Sequence, residues 1–381
     1  MRIAPGSLLC GSAFYVAGIG VDPGFDELRE LCTAAGDQRS LAIGMAGLVT
    51  EHLVNARRRE ASRPATELIG LLESIGDPTL TVALSYAAIA AMQEIGECAE
   101  VLPLAQRVID LADGRPTEGN LIVGSPLAIA TAMRGTARAC LRIAGWKDDY
   151  QRAVAMAHAF AFDPNPITLA AVMWNTYVIA IPCGMLLPDL TVLRETAEFL
   201  ARAEQSSDDL TVDMARLARG VTLIYQDRRD RQGGIGLLAK VSAAKRFANV
   251  TLVANVLTAM ERGRLGDIDE AIELARLVFA DLFASGKSIW SALATAVLVE
   301  ALLRRGLDTD LREAQDAIGT LASLPTDAGF MLHEIWLLRL RALLAQAHGD
   351  EDGYRKLRDS YRQTSKSLGF EAHMEWAEAM P

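Results

Sequence analysis

Helix-length stretches without a single Asp, Glu, Lys or Arg recur along this chain about every 41 residues, each followed by a charged, amphipathic stretch. The uncharged segments begin near Ser40, Leu80, Leu121, Pro164, Ala248 and Ser288. A less pure apolar stretch opens near Phe330, and a degraded one lies near Leu210. A buried helix followed by a half-exposed one is a unit that stacks on copies of itself, so this spacing constrains the fold more than any motif does. The chain is expected to be all-α: a right-handed solenoid of about eight helical hairpins with a period near 41 residues, a tetratricopeptide-like superhelix. The array is expected over 40–368, with a partial hairpin or hairpins in 1–39, a bend in 206–236 and a C-terminal cap in 369–381.

One unit shows the grammar. LTVALSYAAIAAMQ (Leu80–Gln93) is small and apolar all round, as a helix clamped between two neighbours should be. Gly96-Glu97 breaks it, and CAEVLPLAQRVIDLAD follows with Val101, Leu104, Ala105, Val108 and Leu111 on one stripe. Downstream, ANVTLVANVLTAM leads through Gly266-Asp267 into a helix with Ala271, Leu274, Ala275 and Val278 on its stripe. Gly145, Gly306 and Gly349 mark further turns, and Asp189 and Asp308 are placed to cap helices. No strand-like alternation is present.

Composition narrows the partners. A solenoid lets a 381-residue chain stay one unit, because each repeat touches only its neighbours. The net charge of −10 argues against nucleic acid and against anionic lipid, which both need a concentrated basic surface. Five scattered cysteines (Cys10, Cys32, Cys98, Cys140, Cys183) read as reduced, buried thiols of a cytoplasmic protein. The apolar N-terminus to about Gly18 lacks the form of a secretory signal. The uncharged interval Pro164–Pro188 contains Asn175, Thr176, Pro182 and Gly184, and reads as a buried helix rather than a membrane span.

Catalytic chemistry is hard to find. SGKS (Ser285–Ser288) ends like a phosphate loop, but Asp281 stands where the first glycine belongs and a helix precedes it. His333-Glu334 opens a zinc-like motif that lacks its second His, Leu337 standing there. The other histidines (His52, His158, His348, His373) are scattered, and paired acids such as Asp148-Asp149 and Asp208-Asp209 fall at helix starts. A basic run (Arg355, Lys356, Arg358, Arg362, Lys366) reads as a solvated outer face. No catalytic residue, metal or cofactor is expected. The candidates for ligand or partner contact on a concave face are Trp174, Tyr177, Trp290 and Trp336, on inner helices of three repeats.

Several phrases together carry a resemblance. They include GFDELRELCTAAGD, SLAIGMAGLVTEH, LLESIGDPTLTVAL, GNLIVGSPLAIATAMRGTARACL, LHEIWLLRLRALLA and SLGFEAHMEWAEAMP. From about Gly24 to Pro381 the chain resembles the C-terminal helical-repeat region of mycobacterial-type multidomain adenylate/guanylate cyclases. In that family a class III cyclase domain and an AAA-like signalling ATPase precede a tetratricopeptide-like tail. No cyclase metal-binding aspartates and no complete phosphate loop are present, so no catalytic residue carries over. The resemblance implies a detached regulatory tail: a non-catalytic sensor or interaction scaffold for an unidentified protein or small-molecule effector. The alternative is cyclase or ATP-hydrolysing activity by family association.

Overall fold

The computed structural model describes residues 3–15, 24–159, 166–206, 208–226, 230–286 and 289–381. In chain order its helices are α1 (Ile3–Ser12), α2 (Phe25–Ala35), α3 (Gln38–Val54), α4 (Arg58–Ile75), α5 (Pro78–Glu94), α6 (Cys98–Ala112) and α7 (Pro126–Cys140). Then come α8 (Trp146–Ala159), α9 (Ile167–Met173), α10 (Leu190–Ala203), α11 (Asp209–Tyr225), α12 (Arg231–Ala244) and α13 (Ala248–Leu265). The last are α14 (Ile268–Ala284), α15 (Ser291–Arg305), α16 (Asp308–Ala322), α17 (Met331–Ala347), α18 (Glu351–Leu368) and α19 (Glu371–Glu378). No strand occurs among the described residues, and consecutive helices pack on one another.

Two kinds of helix alternate. In α5, 13 of 17 residues are buried, and in α7, 14 of 15. In α6 and α16 the figure is 5 of 15, and in α14 it is 5 of 17. The buried helices also touch the next of their own kind: α3 packs on α5, α5 on α7, α13 on α15 and α15 on α17. Ala271 and Ala275 are fully buried, as their stripe requires, while Leu104, Leu111 and Leu274 sit half-buried at its edge.

Local chemistry sets the boundaries. The carboxylates of Asp37, Asp77, Asp189 and Asp350 accept backbone N–H groups of Ser40, Leu80, Val192 and Gly353 at 2.9–3.1 Å, satisfying otherwise orphaned donors. Asp308 does not cap: it is the first residue of α16, and Asp310 instead reaches back to the Leu307 N–H at 3.1 Å. Two glycines are demanded by packing. A Cβ on Gly47 of α3 would come within 2.0 Å of the Cys10 carbonyl, so α1 lies directly on the α3 backbone. Gly184 has a φ of +75°, and a Cβ there would meet the His373 ring at 2.5 Å.

The stack does not stay open. Segments roughly half the chain apart meet. The Ile289 N–H donates to the Glu94 carbonyl (3.0 Å), Arg58 Nη2 to Asn249 Oδ1 (2.6 Å), and the Ala99 N–H to Asp327 Oδ2 (2.8 Å). Further along, α19 latches onto the turn that follows α9. Lys147 Nζ donates to Glu371 Oε1 (2.6 Å), the Leu187 N–H to Glu371 Oε2 (3.0 Å), and the Glu371 N–H to the Met185 carbonyl (3.0 Å).

Among the described residues no helix is long and apolar enough to cross a membrane. The described part of the Pro164–Pro188 interval forms α9 and a wider π turn (Trp174–Ile179), packed against α7 and α11. The Asp163–Pro166 loop, except Pro166, lies outside the described residues, as do Lys287 and Ser288 of the SGKS segment and Val16–Gly18 of the apolar N-terminus. So do residues 207 and 227–229 of the expected bend.

Candidate functional site

Among the described residues, two of the cavities are lined mainly by the buried helices. The first, of about 140 Å³, lies where α3, α5, α7 and α9 face the starts of α11 and α13. Phe14, Leu53, Ile129, Met133, Met214 and Val250 supply apolar wall. The π turn matters here. By widening the helix for one turn it follows α9 with Trp174 and Asn175, both of which line the cavity.

The polar groups of this wall are tied to one another. Asn175 Oδ1 accepts from Gln93 Nε2 (2.8 Å) and Thr136 Oγ1 (3.1 Å), and Asn175 Nδ2 donates to the Ala171 carbonyl (3.0 Å). Glu94, the last residue of α5, faces Arg58, whose Nε stands 3.5 Å from Glu94 Oε2; both side chains are at least nine-tenths buried. Burial pushes the Glu94 carboxyl up from its ordinary value, and the Arg58 charge opposes this. The Tyr86 hydroxyl is buried in the same wall and makes no hydrogen bond. Burial raises its pKa as well.

The second cavity, a cleft of about 90 Å³, is lined by the last turns of α11 and α13, by α15 and α17, and by Trp376 of α19. It is built from charge and rings. The Arg339 guanidinium lies 5.6 Å from the Trp336 ring centre and 5.3 Å from that of Trp376, and pairs with Glu300. Arg264 lies 5.5 Å over Tyr225 and pairs with Glu261 at 2.6 Å. Arg304 donates to the Gly263 carbonyl. Behind the rings, His373 is fully buried, with Nδ1 2.8 Å from the Tyr361 hydroxyl and Nε2 3.2 Å from the Cys183 carbonyl. Burial, aided by the Arg339 charge, holds its pKa well below the usual histidine value.

The four aromatic candidates are all buried and do not form one platform. Trp174 lines the apolar cavity and meets Trp290 edge-on, with ring centres 5.9 Å apart. Trp336 belongs to the charged cleft. Tyr177 lines neither cavity, and its hydroxyl donates to Glu195 on α10. Sequence reasoning missed Arg58, Tyr86, Glu94 and Asn249 at one cavity and Arg264, Arg304, Arg339 and Trp376 at the other. For Glu94 a signal existed: a lone charge ends an otherwise uncharged run. The basic run on α18 is not merely solvated, since Arg358 and Arg362 donate to the carbonyls of Pro381, Ala377 and Met380 and pin the C-terminal segment.

Among the described residues no group of three His, Cys, Asp or Glu side chains could hold a metal ion. No protein-family model and no curated protein sequence matches this chain.

Proposed function

We propose that the chain is a non-catalytic sensor: a right-handed tetratricopeptide-like solenoid of about eight hairpins, with a period near 41 residues, that holds a small effector inside its closed inner face. The observation that carries this reading is the cross-stack contact of Glu94 with Ile289 and of Arg58 with Asn249. An open concave groove suits a peptide or a partner helix. Here the two sides of the groove meet, and what remains is a partly open pocket of about 140 Å³ with an almost wholly apolar surface. That volume is close to the roughly 150 Å³ of an apolar cavity that stays dry and takes up benzene. The effector is therefore a compact apolar molecule of about one ring. Its binding stabilises the contact between the two sides, which makes the closed form the signal. Such a role matches the regulatory tail of cyclase–ATPase signalling proteins, the family the sequence resembles.

The test is thermal unfolding with benzene and indole. Saturating ligand, at about 100 times its Kd, adds about 2.7 kcal/mol to the stability of a protein that binds it only when folded. A rise in Tm with either compound supports the sensor. No rise with any one-ring apolar compound sinks it. Incubation with ATP or GTP and magnesium is expected to yield no hydrolysed or cyclised nucleotide; turnover would favour the enzyme alternative.

A further inference from the structure

We infer that the cleft between α13, α15, α17 and α19 is a second site, which binds a compact oxyanion, a carboxylate or phosphoryl group, with Arg304 as its principal cation. Three guanidinium groups, those of Arg264, Arg304 and Arg339, line the cleft against one carboxylate, that of Glu300. Two of the three are already neutralised. Arg264 is paired with Glu261, and Arg339 with Glu300. Arg304 forms no ion pair among the described residues; its one hydrogen bond there goes to the Gly263 carbonyl, near the end of α13. That leaves most of its N–H donors and its full charge uncommitted, at the rim of a concave site.

The wall holds further donors without acceptors. Trp336 is 3 % exposed, and its Nε1 makes no hydrogen bond; Arg339 Nε makes none either. A buried N–H without a partner costs free energy that an acceptor recovers. The uncommitted Arg304 guanidinium, cations in surplus over carboxylates and room of about 90 Å³ together describe what an oxyanion satisfies. The first cavity differs in being almost wholly apolar, with its nearest charges, Arg58 and Glu94, facing one another. The wall of the cleft includes Trp376, so an anion there also bears on α19, the helix that latches the inner side.

The experiment is a titration by calorimetry and Tm with inorganic phosphate, benzoate and phenyl phosphate, at constant ionic strength, with benzyl alcohol as the neutral control. In the Ala171→Leu background, where the apolar cavity is filled, the anions are expected to bind and the alcohol is not. Stronger binding of benzoate identifies a carboxylate site, and stronger binding of phenyl phosphate a phosphoryl site. Arg304→Gln should weaken the anion by about tenfold or more, the loss of one charge-assisted pair. Arg304 is exposed, so this variant folds. Arg276→Gln, which removes an outer-face arginine paired with Glu313, should bind as the parent does. Ala171→Leu, which fills the other cavity, should also leave anion binding intact, so failure of the apolar site and failure of this one are read separately. The inference is overturned if no anion binds, or if Arg304→Gln binds as tightly as the parent.

Discussion

The two cavities are lined by the same kind of helix and differ in what closes them. The apolar one lies between early helices, α3, α5 and α7, and later ones, α11 and α13. Its nearest charges are buried and paired, Arg58 with Glu94 at the end of the adjoining helix, and Arg58 also reaches across the stack to Asn249. The cleft uses only α11 and later helices, and its arginines lie partly in solvent, stacked on rings. A charge facing a distant repeat must find a partner there or unfold the contact. A charge at the rim of neighbouring helices can remain uncommitted, and so available to a ligand.

The contrast is broken most severely at Arg58. Arg58→Ala leaves Glu94 buried without its counter-ion and should cost about 3–5 kcal/mol in urea unfolding. Arg304→Ala should stay within about 0.5 kcal/mol, as an exposed side chain away from the core does. Replacing both members of the buried pair, Arg58→Met with Glu94→Met, should recover much of the loss. Equal costs at Arg58 and Arg304 would erase the distinction between the two sites.

Acid should separate the regions next. His373 sits behind the cleft, facing Tyr361, Cys183, Trp336, Trp376 and the Arg339 charge, with its pKa depressed by burial. The unfolded chain takes up a proton near pH 6.5 that the folded histidine refuses. Stability is therefore full above that pH and falls below it, by up to about 1.4 kcal/mol per pH unit, until the folded value is reached. Glu94 acts in the opposite sense. Its raised pKa lets the folded state keep a proton above 4.5, so that contribution is present below 4.5 and lost as pH rises through the folded value. Unfolding of the parent and of His373→Gln between pH 5 and pH 7 checks this: the variant should show the shallower slope.

The smallest effect sharpens the comparison. Ala171 lines the apolar cavity, and Ala171→Leu should fill it, raising stability by about 0.5–2 kcal/mol while abolishing benzene and indole binding. A destabilised variant that still binds benzene would mean the space is not where the apolar ligand goes.

The helices were largely legible in sequence, because burial between two neighbours removes charge and the removal recurs. The turn glycines and the cap at Asp189 followed from the same local reasoning, whereas the cap expected at Asp308 falls to Asp310 instead. Cys98, Cys140 and Cys183 looked scattered, yet they come together in the core as free thiols: a hydrogen bond with Cys98 and burial raise the Cys140 thiol, and burial pushes Cys183 up to about 12. Their spacing, about that of the uncharged stretches, was the overlooked sign. The cavities were less legible. Nothing in the run Arg57-Arg58-Arg59 marks the middle residue as the buried one, since its partners Glu94 and Asn249 come from other repeats. Of the aromatic candidates Trp174 and Trp336 line cavities, while the arginines that complete the cleft carry no sign of it in the sequence. A repeat pattern encodes each helix's neighbours; it does not encode which distant turns meet when the stack curves.

Closure of the stack is the claim on which the apolar site and the proposed sensor depend, and small-angle X-ray scattering measures it directly. A chain of this length folded upon itself has a radius of gyration near 21 Å. The contacts of Glu94 with Ile289 and of Glu371 with Met185 require a value close to that, and a compact distance distribution. An elongated profile, with a radius of gyration above roughly 28 Å where about 21 Å marks compactness, would contradict the closed stack and the apolar site with it.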